Sequence, residues 1–249
     1  MIIATDYKPR RISWFSCGAA SAVATKLSNP DLIAYCETGS EHKDNARFMA
    51  DCEKWFGQTI TKLRNARYSS TWEVWEHKQY ISGIAGAPCT KELKVKPRLE
   101  FQKPDDVHIF GYTADGPDIR RAEGLKEHYP DLKVEFPLIE RGINKAACIA
   151  MVQNSGIEPP IVYSQGFPNA NCIPCCKATS PRYWAMVRHH YPEDFDRMSQ
   201  LAQKYDVKLT RLDGERDYIH NIPANHPMTE VIAPECDFLC SLAEQELTT

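Results

Sequence analysis

Short apolar runs alternate along the first two thirds of the chain with segments of helical spacing. Ile12, Trp14 and Phe15 make a compact apolar run that suits a buried strand. Small residues follow at Gly18, Ala19 and Ala20, and then Ala22, Val23, Ala24 and Leu27 start a helix. Residues 31–36 form a second strand candidate that ends in the polar loop Glu37-Thr38-Gly39-Ser40. Ala46, Phe48, Met49, Cys52, Trp55 and Phe56 recur at helical spacing. Residues 59–63, 107–110 and 134–136 read as three further strands, and 144–154 as a helix. Trp72, Trp75 and Tyr80 also have helical spacing and read as packing residues. This order predicts an α/β fold, a doubly wound and mostly parallel sheet with helices on both faces. Ligands of such sheets bind beyond the carboxyl ends of the strands. The loops at Ser16–Ser21, Glu37–Ser40 and Gly111–Thr113 each follow a strand, so all three should face one crevice.

After Pro160 the pattern changes. Tyr163 to Lys177 is loop-like, two helices are expected over 180–190 and 192–205, and residues 211–249 are rich in turn formers. The expected organisation is a nucleotide-binding core over 1–160 and a cysteine-bearing extension over 161–249 packed on it.

Composition narrows the classes. The chain has 249 residues, 43% of them hydrophobic, enough for a substantial core. Thirty Lys and Arg against 33 Asp and Glu give a net charge of −3, so no global excess points to nucleic acid, although a local patch stays open. Arg182, Arg188, His189 and His190 could form such a patch, with a plain surface helix as the default. The first residues have no apolar signal region, and no run of about 18 apolar residues is present, so neither a leader nor a membrane span is expected. Ten cysteines in a chain of this length fit intracellular metal or redox chemistry better than a disulfide framework, and a cytoplasmic location is expected.

The turn Ser16-Cys17-Gly18-Ala19-Ala20-Ser21 can hold a phosphate or sulfate, because N–H groups at a helix N-terminus favour an anion. It lacks both the P-loop and the dinucleotide fingerprint. Ser21 or Ser16 can cap the helix. Lys91, Lys94, Lys96 and Arg98 form a basic run at a helix start, with Lys94 the strongest anion clamp; His42 is a further possible ligand contact. Cys172-Ile-Pro-Cys175 is a C-x-x-C pair, a spacing that lets two thiolates reach one metal centre. Cys17, Cys36, Cys52 and Cys148 sit in apolar periodic segments and read as core residues, with Cys17 set apart by its place in the anion turn.

Taken in order, these residues resemble the phosphoadenosine phosphosulfate (PAPS) reductase family of the adenine nucleotide α-hydrolase-like, or PP-loop, superfamily. The resemblance covers about residues 10–177 and is nearest to a branch typical of phages and bacterial mobile elements. Ser16–Val23 is similar to the modified PP-loop of sulfonucleotide reductases, without the second Gly and the Asp of ATP pyrophosphatase loops. Glu37-Thr38-Gly39, Lys94-Val95-Lys96-Pro97, Gly111-Tyr112-Thr113 with Arg120-Arg121, and Pro137-Leu138-Ile139 with Lys145–Gly156 resemble later family motifs.

The resemblance implies an adenine nucleotide (ATP, APS or PAPS) with its phosphates on Ser16–Ser21 and its adenine near Thr38 and Gly111. Gly39, Lys94, Tyr112 and Arg121 complete that expected site. It also implies a [4Fe-4S] cluster on Cys89, Cys172 and Cys175, with zinc as the competing metal. The fourth ligand must come from Cys240, Cys236 or Cys176, and Cys240 is the expected one. Glu235-Cys236-Asp237-Phe238-Leu239 partly echoes the family's Glu-Cys-Gly-Leu/Ile-His motif, which makes Cys236 the expected catalytic nucleophile. The missing Gly and His weigh against reduction, and the missing loop Asp weighs against the rival, an ATP pyrophosphatase-type enzyme that adenylates an acceptor. A non-catalytic nucleotide- or metal-binding regulator is the third possibility. Implied partners are a small-molecule nucleotide, an electron donor such as thioredoxin, and a second copy of the chain.

Overall fold

The computed structural model describes residues 8–235 and 243–245. Five parallel strands form the central sheet: β1 (Arg11–Phe15), β2 (Leu32–Cys36), β3 (Ile60–Leu63), β4 (Val107–Ile109) and β5 (Lys133–Glu135). Their order is β3-β2-β1-β4-β5. β1 and β2 are buried along most of their length, as expected of central strands covered on both faces. At the edge, β3 buries Ile60 and exposes Thr61 and Lys62. The chain runs outward from β1 through β2 to β3, then returns beside β1 as β4. The order therefore reverses at β1, and the crevice of a doubly wound sheet opens there, between the ends of β1 and β4.

Helix α1 (Ala19–Ser28) buries small residues from Ala19 to Thr25 against the sheet. α2 (Asn45–Phe56) turns Phe48, Met49 and Cys52 inward and stops at Gly57, whose φ of 69° is free to glycine. α8 (Lys145–Asn154) packs on α1, and its first turn is capped by Asn144 Oδ1, which accepts from Ala147 N–H at 2.8 Å. These helices build one core with Phe15, Ile33 and Leu138. On the other face, Ile12, Trp14 and Ala34 form a smaller cluster.

The third cluster belongs mainly to the C-terminal region. α9 (Pro181–His190) and α10 (Pro192–Lys204) pack together and bury Trp184, Met186, Phe195, Met198 and Leu201. The same cluster takes in Trp72 and Trp75 of α3 (Thr71–Lys78), together with Cys89 and Leu93. The extension's core thus reaches back into residues 68–93. Residues 88–101 wind as α4 (Pro88–Thr90), a π-helical stretch (Lys91–Val95) and α5 (Lys96–Phe101). α6 (Gly116–His128) and the short α7 (Pro137–Glu140) flank β5. A hairpin of β6 (Thr210–Leu212) and β7 (Glu215–Asp217) follows α10. Among the described residues, no helix is long and apolar enough to cross a membrane.

Candidate functional site

The strand ends face a cleft of about 780 Å³. Ser16, Thr38, Phe110 and Tyr112 contribute from the loops after β1, β2 and β4. The facing wall carries Cys89, Lys94 and Arg98, and the loop 167–178 closes the cleft with Cys172, Cys175 and Cys176. The three loops expected to share a crevice do so, and the C-x-x-C pair opens into the same space.

The turn after β1 is built on Ser21. Its Oγ accepts from Ser16 N–H at 3.1 Å and from Gly18 N–H at 3.4 Å, and donates to Gly18 O at 2.9 Å. Ala19 N–H donates to Tyr163 Oη at 3.1 Å. Three of the N–H groups around the expected anion turn therefore already have protein partners. Gly18 is the helix N-cap, and Ser21 folds back onto it from the first turn. Cys17 adopts φ 56°, a left-handed conformation that costs a non-glycine residue about 1–2 kcal/mol. Its thiol points away from the cleft into the core and donates to Asn45 O at 3.9 Å; burial pushes its pKa up to about 12. Cys17 thus behaves as a core thiol.

Gly111 has a structural task. A Cβ there would stand 2.5 Å from Ser21 Cα, so the end of β4 meets the first turn of α1 backbone to backbone. Gly39 is similar: φ is +65°, and a Cβ would meet Ser69 O at 1.8 Å. Tyr112 stacks on Phe110 and Phe136, with ring centroids 5.7 and 5.6 Å apart. The Arg121 guanidinium lies 4.9 Å over the Tyr112 ring and is held by Asp118 at 2.8 Å. This gives the cleft an aromatic wall with a cation above it.

Sequence patterns did not single out Glu41, yet it organises the loop after β2. Its carboxylate accepts from Thr38 N–H at 2.7 Å, Thr38 Oγ1–H at 2.6 Å and Ser40 N–H at 3.1 Å. Thr38 Oγ1 also lies 2.8 Å from Cys172 Sγ. The hydroxyl has one proton and gives it to Glu41, so Cys172 must be the donor to Thr38. Burial and the nearby Glu41 carboxylate push the Cys172 thiol up to about 11, against the pull of Lys94. A bridge between Glu41 and Cys172, with Ile173 N–H on Ser40 O at 3.0 Å, ties the two loops together. Cys175 N–H donates to Tyr183 Oη at 2.7 Å.

Lys94 comes from the π-helical stretch and opens on the cleft water. Enclosure by protein works against its charge, but Cys172, Glu41, Cys175 and Cys36 outweigh that and raise its pKa. Lys94 is therefore a held cation facing thiols and the strand-end loops. Arg98 lies one turn further on in the same wall.

Cys89 and Cys176 meet directly, with Sγ atoms 3.7 Å apart and relative exposures of 9% and 4%. The hydrogen bond from Cys176 lowers the Cys89 pKa, aided by the Trp75 indole and the Thr90 N–H; the Cys176 pKa is raised by the same bond and by burial. Ser82 Oγ donates to Cys176 O at 3.2 Å, which fixes the two segments to each other. The position of Cys176 beside the C-x-x-C pair was its only signal in the sequence. Cys236 and Cys240, the expected nucleophile and fourth ligand, lie outside the described residues.

The thiols suit a soft metal in their chemistry. A [4Fe-4S] cluster takes each thiolate on a different iron, which spreads the sulfurs apart. Two sulfurs about 2.3 Å from one tetrahedral ion stand about 3.8 Å from each other. The Cys89–Cys176 spacing is of that shorter kind; the expected cluster set of Cys89, Cys172, Cys175 and Cys240 is a different one, and its fourth member lies outside the described residues. Among the described residues, no three His, Cys, Asp or Glu side chains are close enough to share one ion.

No family model and no curated protein matches the chain in sequence. Among solved structures, the fold is similar to that of a phosphoadenylyl-sulfate (PAPS) reductase from Candida auris, determined as a phosphate complex. The two are 12% identical, the alignment covers 66% of this chain and 81% of that one, and the TM-score is 0.48.

Proposed function

We propose that the protein is an enzyme that binds an adenine nucleotide in the cleft and carries out thiol-dependent chemistry on a sulfur atom attached to it. One observation carries this reading. A single cleft at the strand ends joins the loops of a doubly wound nucleotide fold to Lys94 and to five thiols. Lys94, Arg98 and Arg121 supply positive charge for phosphate and sulfate oxygens, and Phe110 and Tyr112 offer an apolar wall to a base. In such a pose the electrophilic sulfur of a sulfonucleotide faces the cysteines. A thiolate can then attack the sulfur, and the nucleotide phosphate leaves with the electron pair of the broken S–O bond. The sequence resemblance to sulfonucleotide reductases points to the same reaction class. No step here is routed through an iron–sulfur cluster; Cys89, Cys172 and Cys175, all on the cleft, are the residues that would hold one.

The test is turnover with ATP, APS and PAPS, following sulfite and pyrophosphate separately, with calorimetry of nucleotide binding. Sulfite from APS or PAPS is expected, and Lys94→Met should weaken nucleotide binding by about tenfold, roughly 1.4 kcal/mol. Pyrophosphate release from ATP without sulfite would replace this reading by acceptor adenylation. Absence of binding at millimolar nucleotide would remove the nucleotide site altogether.

A further inference from the structure

We infer that Cys89 and Cys176 are a redox-active dithiol, which closes to a disulfide on the cleft wall and thereby supplies two electrons to the reaction there. The substrate side of this inference rests on the function proposed above; the thiol pair itself does not.

The pair is built by the fold and not by sequence neighbourhood. The two cysteines are 87 residues apart and come from different segments, the first turn after the 83–86 loop and the loop before α9. Their sulfurs are nevertheless 3.7 Å apart. A disulfide needs about 2.05 Å, so a closure of about 1.7 Å makes the bond, within reach of side-chain rotation and a small loop shift. No other thiol pair is in hydrogen-bond contact among the described residues. The neighbouring thiols are engaged elsewhere: Cys172 with Thr38 Oγ1, and Cys36 with Lys94 O at 3.6 Å. Both Cys89 and Cys176 line the cleft, so a substrate can reach what the bulk surface cannot.

The surroundings divide the labour. Cys89 sits at the start of a helical segment. The indole N–H of Trp75, 1% exposed and without an oxygen or nitrogen partner, lines the same wall. Such a donor can serve a charged sulfur or a sulfonate oxygen. Cys89 is then the attacking thiolate and Cys176 the resolving one.

Cys89 Sγ attacks the sulfonyl sulfur; the S–O bond to the phosphate breaks, and its electron pair leaves with the nucleotide. Cys89 now carries an S-sulfonate. Cys176 attacks Cys89 Sγ, the S–S bond to the sulfonate breaks, and sulfite departs with that electron pair. Sulfur has gained two electrons, the thiols have lost two, and their two protons pass to solvent. An external dithiol restores the pair by exchange.

The experiment uses the full chain, reduced and then freed of reductant. One arm treats it with glutathione disulfide, alkylates remaining thiols and maps peptides by mass spectrometry. The expected product is a Cys89–Cys176 disulfide without retained glutathione, while Cys176→Ser should trap glutathione on Cys89. The other arm supplies one equivalent of PAPS or APS with no reductant. The expected yield is one sulfite per chain and the same disulfide; Cys176→Ser should release nucleotide but keep an S-sulfonate on Cys89. Circular dichroism and nucleotide affinity check that the variants are folded. A disulfide in the glutathione arm without sulfite in the other keeps the dithiol and overturns the sulfonucleotide reading. Sulfite release that persists in Cys89→Ser, or full alkylation of both cysteines after glutathione disulfide, overturns the dithiol. Iron or zinc retained by the purified chain and shielding both thiols from alkylation overturns it as well.

Discussion

Gly111 gives the sharpest test of how the strand-end turns are held. A methyl group there would stand 2.5 Å from Ser21 Cα, 2.8 Å from Ser21 N and 2.9 Å from Ala20 O. Favourable carbon contacts lie near 3.5–4.0 Å, so β4 and α1 must separate locally by about 1 Å. The atoms in the way are backbone, and no flexible side chain can swing aside. Overpacking costs about 1–3 kcal/mol, and a backbone clash belongs in the upper half of that range. For a chain of this size, Gly111→Ala should lower Tm by about 5–10 °C. Gly124 supplies the matched control, since it lies within α6 with nothing within 4 Å of its missing Cβ. Gly124→Ala should therefore stabilise by about 0.5–1 kcal/mol, because alanine gives up less backbone freedom. Urea unfolding followed by tryptophan fluorescence measures both midpoints, with a constant slope as the sign that only stability has changed. A Gly111→Ala protein as stable as the parent would refute the close approach of β4 to α1. The site built on that approach would then need another explanation.

Three further outcomes are expected. His108 is fully buried and accepts from Trp14 Nε1–H at 2.9 Å; burial, then the Arg98 charge, pulls its pKa down to about 4. The unfolded chain takes up this proton near pH 6.5, so the stabilisation present above that pH falls away towards pH 4, by about 3 kcal/mol in all; a Tm–pH slope over this interval that is unchanged in His108→Gln would contradict it. Tyr163→Phe removes the acceptor of Ala19 N–H and should cost about 1–3 kcal/mol in chemical unfolding, with weaker nucleotide binding because the turn loses its anchor. Asp106, fully buried, pairs with Arg10 at 2.6 Å and accepts from Lys103 N–H at 2.9 Å, so Asp106→Ala should destabilise by about 3–5 kcal/mol; a loss under 1 kcal/mol in the same unfolding assay would count against a buried ion pair there.

The sheet was legible because its central strands are continuous apolar runs, and burial on both faces leaves few other structures for Ile12–Phe15 or Leu32–Tyr35. Helices with a clear apolar face, such as α2 and α10, were equally legible. What escaped was held by turns or by distant partners. The β6–β7 hairpin turns on Asp213-Gly214, with φ values of 50° and 89°. That Asp-Gly signal lay in the sequence, but its strands are three residues long and carry little apolar pattern. The π-helical stretch at Lys91–Val95 has no periodic signature, because one widened turn shifts the spacing without changing composition. Strand order was not legible either, since no local pattern records which strand returns beside β1.

The site divides along the same line. Loop residues at strand ends follow from topology, so Ser16, Thr38 and Tyr112 could be placed in one crevice from the alternation alone. Glycines in those loops could be flagged but not given a task. Gly111 looked like a neighbour of the base, and it is where two backbones touch. The cysteines show the deeper reason. C-x-x-C spacing is local, and it marked Cys172 and Cys175; the contact between Cys89 and Cys176 depends on how loop 167–178 docks on residues 68–93. That docking is set by Trp75, Leu93 and Trp184 in a shared apolar cluster, none of which says anything about sulfur. Spacing and the resemblance favoured the tail cysteines Cys236 and Cys240 over Cys176, and both lie outside the described residues. Once the cluster forms, it brings Cys176 to Cys89 as a consequence of apolar packing, and Ser82 on the Cys176 carbonyl then fixes the pair. The chemistry of the wall is in this sense a by-product of burial. For that reason, replacing Trp184 should disturb thiol pairing without touching a sulfur atom. Trp184→Leu, still apolar but smaller, should keep the fold yet slow disulfide closure between Cys89 and Cys176 under glutathione disulfide. Closure at the parental rate in a Trp184→Leu protein would mean that the pair is held by its own loops and not by the core beneath them.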